Sequence, residues 1–263
     1  MIWLVAIGIA TLELRATCGN MRSQFNGYGA IDSVYSRSAK APMRYRVLVP
    51  WILGWMKHSK SRVGIYLCGK ILLLGATLWA SSIYLGQMGA LAFAALLATT
   101  VEFDYWEQYI EILGILGCLS SHVWVVALAA IAWGMSRETV LIAPALTWFA
   151  QGSLWGIAGI AACGLVHIVQ GHAGLYCKRW TLRNNLIELR TAIAERLDYA
   201  PVYAATWTAV CLILLTRPWP GLLSETRFLA VAWLAASWLM ARAREVRVFL
   251  PTALWMASRV AAP

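Results

Sequence analysis

The chain has 263 residues, 60% of them hydrophobic and 13% charged, with a mean hydropathy of +0.64. A soluble domain of this length carries about 25% charged residues, so the composition sets an ordinary soluble enzyme aside. The net charge of +10 is interleaved with apolar runs, which points to anionic lipid head groups or a phosphorylated lipid rather than to nucleic acid.

Runs free of Asp, Glu, Lys and Arg cover 71–101, 112–136, 139–177 and 199–216. Each is close to or above the roughly 20 helical residues that cross a hydrocarbon core. The expected fold is all-α: a polytopic transmembrane helical bundle of about ten membrane segments with two interfacial helices. It forms one integral-membrane domain over 1–263. The apolar runs are continuous rather than alternating, which disfavours a β-barrel.

In chain order, "MIWLVAIGIATL" lacks a basic leader and a small-residue cleavage site, so it reads as a retained first helix over 1–17. A first polar loop, 18–61, follows. Its "YRVLVPWILGWMK" is too short to span and reads as an interfacial helix, with Pro50 tolerated near the start. Spans are then expected at 62–85, 88–103, 107–119, 122–135, 139–151 and 153–170. The weakest break is "CLSSHV" at 118–123; without a turn there, 109–135 is one tilted helix and every later side assignment inverts. A second polar loop, 171–199, places Leu182, Leu186, Leu189, Ile193 and Leu197 at i, i+3, i+4 steps, which predicts an amphipathic helix on the membrane surface. Spans at 200–216, 224–241 and 246–260 complete the chain, and several segments are shorter than a perpendicular crossing requires.

The six cysteines are scattered, without a CxxC, and read as small buried hydrophobes. His167 and His172, five apart, do not share a helix face as metal ligands would. The fifteen Trp suit interfacial belts. Gly152-xxx-Gly156 and the small residues of "GIAGIAACG" suit close helix contact, either within the chain or in an oligomer or larger complex.

Counting crossings places nearly all ionisable groups on one face. Both long loops, "EFDYWEQ" at 102–108, the Arg137–Glu138 pair and "RAREVR" at 242–247 fall together. The other side receives "LGQMG", "SSH", "QGS" and "TRPWPGLLSETR". The Arg137–Glu138 pair interrupts an apolar run, and an ionised group at the bilayer centre costs roughly 2.5–3.5 kcal/mol. A helix-to-helix turn opening onto the polar face avoids that cost. Inside the spans, Lys70 and buried histidines are read as almost the only ionisable groups.

"PMRYRVLVPWIL", "MSRETVLIAPAL" and "REVRVFLPTAL" resemble, in order and spacing, segments of bacterial integral-membrane glycosyltransferases of the GT-C superfamily, more closely its short members. The resemblance implies an enzyme of the bacterial inner (cytoplasmic) membrane that takes a sugar from a polyprenyl-phosphate donor. It further implies an acidic base or metal contact in the first external loop, a role carried here to Asp32. Such chemistry needs a carboxylate near the acceptor's hydroxyl proton and positive charge where phosphate leaves. Arg44 and Arg46, two apart, point the same way in extended backbone, and an Arg fork suits phosphate oxygens. Arg137 and Arg247 are the next candidates, with Glu138 and Glu245 beside them in their motifs. Glu102, Asp104 and Glu107 offer a carboxylate for a divalent metal or for orienting an acceptor, against a plain solvated loop; no other cofactor is implied.

The superfamily layout puts the charged face outside the cytoplasm, whereas the positive-inside rule puts its Lys and Arg within. Arginines kept for phosphate binding, a reversed orientation and a span count off by one all remain open. Two rival classes stand beside the transferase: a non-catalytic lipid-phosphate-binding transporter or flippase-like protein, and a structural subunit of a membrane complex.

Overall fold

In a computed structural model of the chain, the described residues are 1–12, 46–56, 62–97, 106–171 and 200–216, with 186, 187, 190, 191, 194, 231, 232, 234, 235 and 238. Every regular element among them is helical. The protein is all-α. Contacts divide it into two compact units, Met1–Tyr176 and Cys177–Pro263.

In the first unit α1 is Ile2–Leu12, α2 Leu48–Met56 and α3 Arg62–Leu97. Then come α4, Trp106–Cys118, and α5, Val123–Gly134. A 3-10 turn, Glu138–Ile142, leads into α6, Ala143–Gln151, and α7 is Ile157–Gln170.

The punctuation follows local chemistry. α3 breaks at Gly86, whose φ of 68° and ψ of 173° suit a residue without a Cβ. That break separates the segments expected at 62–85 and 88–103. "CLSSHV" is a turn: Leu119 N–H donates to the Leu116 carbonyl at 3.1 Å and Ser120 N–H to that of Gly117 at 3.0 Å. One helix over 109–135 therefore does not form. Instead α4 and α5 pack as a hairpin, with Gly114 against Trp133 and Gly117 against Ala129. α6 stops at Gly152, which is left-handed (φ 65°) as helix C-termini commonly are.

α5 and α7 cross with their backbones nearly touching. A Cβ on Gly134 would lie 2.2 Å from the Gly159 carbonyl oxygen, and one on Gly159 would lie 2.6 Å from that of Ala130. The contact is the small-residue approach seen between helices in apolar surroundings. Gly156, half of the Gly152-xxx-Gly156 pair, is used internally too, against Ala143.

These pairings define two ends of the first unit. At one, Tyr66 stacks on Trp106 with ring centroids 5.0 Å apart, and Val49, Leu53 and Ile110 complete the cluster. At the other, the Tyr84 hydroxyl donates to the Leu116 carbonyl at 3.1 Å. Both contacts run in the same order along α3 and α4, so the two helices point the same way and the chain reverses between them, beyond Gly86.

The core is mainly apolar, but burial departs from that of a soluble bundle at both extremes. Trp124, Leu128 and Ile168 are 75%, 67% and 80% exposed, while Lys70, Thr77, Ser81, Gln108 and Glu111 are buried. Buried polar and exposed large apolar groups are the informative cases. Gly64–Gln87, 24 residues of mean hydropathy 1.4, is the one stretch among the described residues long and apolar enough to cross a membrane. The shorter apolar helices include Ile2–Thr11, Val123–Gly134 and Ile157–Gln170.

In the second unit α8 is Ala200–Thr216. Trp238 Nε1 donates to the Thr208 hydroxyl at 2.8 Å, joining α8 to a later helical stretch that buries Leu234. Leu186 and Ile187, within the stretch expected to lie on the membrane surface, are helical and each 52% exposed.

Candidate functional site

The open end of the α4–α5 hairpin is held by a buried polar chain. Trp133 is pinned by Gly114, and its indole N–H donates to Thr139 Oγ1 at 2.9 Å. The Thr139 hydroxyl donates to Glu111 Oε1. Arg137 Nη1 donates to the other carboxylate oxygen, Oε2, at 2.6 Å. Both oxygens of Glu111 are thereby engaged, and its side chain is 1% exposed. Arg137 can reach back because its backbone is extended (φ −155°, ψ 144°) between α5 and the 3-10 turn. Its N–H and that of Ser136 both donate to the Trp133 carbonyl, at 2.7 and 2.9 Å.

The pair is shielded from water. Its attraction offsets desolvation only while both partners remain; removing one from such a pair costs about 3–5 kcal/mol.

A second chain segment joins the same turn. The N–H groups of Val47 and Leu48 donate to the Met135 carbonyl at 3.0 and 3.2 Å, so the end of α5 caps the start of α2. Arg46, half-buried, precedes that junction. Next to it lies an apolar groove of about 490 Å³ between α2, α5 and α7, lined by Val47, Trp51, Met135, Leu165 and Val166, with Gln170 as its polar member.

Several buried polar atoms on α4 and after α5 have no hydrogen-bond partner, Trp106 Nε1 and Glu107 Oε2 among them. Neither Oε1 nor Nε2 of Gln108 has a partner, nor has Ser136 Oγ, and the residues are 1% and 0% exposed. A buried polar group left unsatisfied costs about 1–3 kcal/mol.

Of the expected site residues, the structure brings Arg46 and Arg137 to one turn. Glu138 opens the 3-10 turn with its backbone. Glu107 lies in the first turn of α4, half-buried. Asp32, Arg44, Glu102, Asp104, Glu245 and Arg247 lie outside the described residues.

Two expectations are corrected. Arg137 does not open onto a polar face; it is buried, and its cost is met by Glu111 rather than avoided. The expected spans also hold more charge than the sequence reading allowed, because Glu111 sits inside α4 and is buried along with Lys70, while His122 and His167 are exposed. Glu111 was missed, although a second carboxylate well inside the expected span, in "WEQYIEILGILGC", is the signal that an acid within a span would give.

Among the described residues no three His, Cys, Asp or Glu are grouped to hold a metal. Cys118, Cys163 and Cys211 are buried thiols, in keeping with packing roles, whereas Cys68 is exposed. Neither a family model, nor a curated protein, nor a solved structure matches the chain.

Proposed function

We propose that the chain is a multi-pass protein of the bacterial inner membrane that moves a sugar from a polyprenyl-phosphate donor to an acceptor at the membrane surface. The observation that carries this reading is the junction at Met135. There "YRVLVP" and "MSRET", two of the three segments resembling GT-C glycosyltransferases, are hydrogen-bonded to each other beside an apolar groove. The junction sets Arg46 next to space suited to a hydrocarbon chain. Membrane residence is supported by the exposed apolar outer surfaces of α3, α5 and α7 over buried polar groups.

In the proposed reaction Asp32 accepts the proton of the acceptor hydroxyl as its oxygen bonds to the anomeric carbon. The bond from that carbon to the phosphate oxygen breaks, and the lipid phosphate leaves with the electron pair. Arg44, Arg46 and Arg247 hold the departing charge. Arg137, buried against Glu111, fixes the turn beside Glu138 rather than meeting the phosphate, and Glu245 orients Arg247.

The test is transfer from a panel of polyprenyl-phosphate sugars by the protein in lipid nanodiscs. Asp32→Asn should lower the rate by roughly 10²–10⁴-fold with thermal stability unchanged. Wild-type activity in that variant would remove Asp32 from the mechanism.

A second reading, a lipid-phosphate transporter, gains from the burial of Lys70, Glu111 and Arg137 within the first unit, since intramembrane charge marks translocation paths. It predicts movement of labelled lipid phosphate across vesicles, insensitive to Asp32→Asn and without sugar transfer.

A further inference from the structure

α5, "VWVVALAAIAWG", has no charged or hydroxyl-bearing residue, so hydrophobicity alone gives it no face to turn towards α4. Its last turn is oriented instead by one carboxylate of α4. Trp133 donates to Thr139 at 2.9 Å, and Thr139 and Arg137 each donate to an oxygen of Glu111. Glu111 therefore gathers residues from both sides of Met135. A buried ion pair is a weak source of stability, and its best-attested use is to fix register between packed helices.

What lies between the gathered residues is the Met135 carbonyl. It accepts the N–H groups of both Val47 and Leu48, at 3.0 and 3.2 Å. Two donors occupy both lone pairs of one carbonyl oxygen, and hydrogen bonds weaken steeply as they bend. The direction of this carbonyl thus sets where α2 begins. On its other side α2 packs Val49 and Leu53 with Tyr66 and Trp106, a contact that attracts without directing. Val47 and Trp51 form the α2 wall of the apolar groove, Met135 and Ile131 face them from α5, and Leu165 and Val166 from α7.

We infer that Glu111 is a positioning residue: by gripping Arg137 and Thr139 it aims the Met135 carbonyl, and so places the start of α2 and one wall of the groove. The relay rests on the glycosyl-transfer reading for the groove's occupant and on nothing else in it.

The experiment measures amide hydrogen exchange at Val47 and Leu48 by mass spectrometry, on the full chain in lipid nanodiscs, beside chemical unfolding of the same samples. The double variant Glu111→Leu, Arg137→Met removes the pair without stranding a charge. It should unfold near the wild-type midpoint, yet exchange both amides faster by roughly ten-fold, on the scale of the hydrogen bonds lost. Thr139→Val removes one of the two groups that Glu111 grips and should speed both amides by a few-fold. Gln151→Leu, which lowers stability from the opposite end of the unit, should leave them at the wild-type rate.

Wild-type exchange at Val47 and Leu48 in the double variant would overturn the inference; if that variant fails to fold, the same result in Thr139→Val would do so. An equal acceleration in Gln151→Leu would also overturn it, since Glu111 would then act through general stability. Faster exchange in the double variant of a protein that transfers no sugar supports the relay and counts against the transferase reading alone.

Discussion

The two ends of the first unit are closed by different chemistry. Away from the Met135 turn, Gln151 Nε2 donates to the carbonyls of Cys118, at 2.8 Å, and Ser120. The Gly156 N–H donates to Thr147 Oγ1 at 3.3 Å. These bonds join neutral side chains to backbone groups that helix ends leave open. At the Met135 turn the closure is a buried ion pair with unpaired amide and hydroxyl atoms nearby. Packed apolar residues often hold a structure as well as a buried ion pair does. The neutral end is built for closure alone, and the charged end keeps groups that closure does not need.

The sharpest way to break this contrast is Glu111→Gln, which strands the Arg137 charge. It should cost about 3–5 kcal/mol, read by chemical unfolding in nanodiscs. The double variant Glu111→Leu, Arg137→Met should recover most of that loss, a coupling between contacting residues. If the double variant is as unstable as the single one, the pair is not what holds this end.

Next in size is Gly134→Ala, which drives a methyl group into the Gly159 carbonyl. Overpacking of this kind costs about 1–3 kcal/mol and should lower the melting temperature. At the neutral end, Gln151→Leu leaves two carbonyls without their donor, that of the buried Cys118 among them, and should cost about 1–3 kcal/mol. Trp133→Phe keeps the ring against Gly114 and loses one N–H bond to Thr139, a change of about 0.5–1.5 kcal/mol. A larger loss in Gln151→Leu than in Glu111→Gln would reverse the comparison.

Much of this layout was legible in the chain because turn residues punctuate it. "LGQMG", "SSH" and "QGS" are short polar or glycine-bearing breaks, and they coincide with Gly86, the 119–122 turn and the Gly152 cap. The apolar runs likewise placed α4 to α8 within a few residues. Glu111 escaped for a specific reason. It lies within the expected span 107–119 but just before the charge-free run 112–136, and its partner lies 26 residues away across a hairpin. Pairing across a turn depends on which helix faces meet, and α5 is apolar all round, so periodicity gave no face to orient by. The unpaired state of Gln108 and Ser136 is equally invisible in sequence, since a missing partner is a property of packing.

The brevity of the helices beside the Met135 turn has a further consequence. At 1.5 Å per residue, α4, α5 and α7, with 13, 12 and 14 residues, rise about 18–21 Å, against a hydrocarbon core of about 30 Å. If these helices cross a bilayer, as the proposed function requires, that mismatch would be met by local thinning, at a modest cost per ångström, and the leaflets would pinch around them.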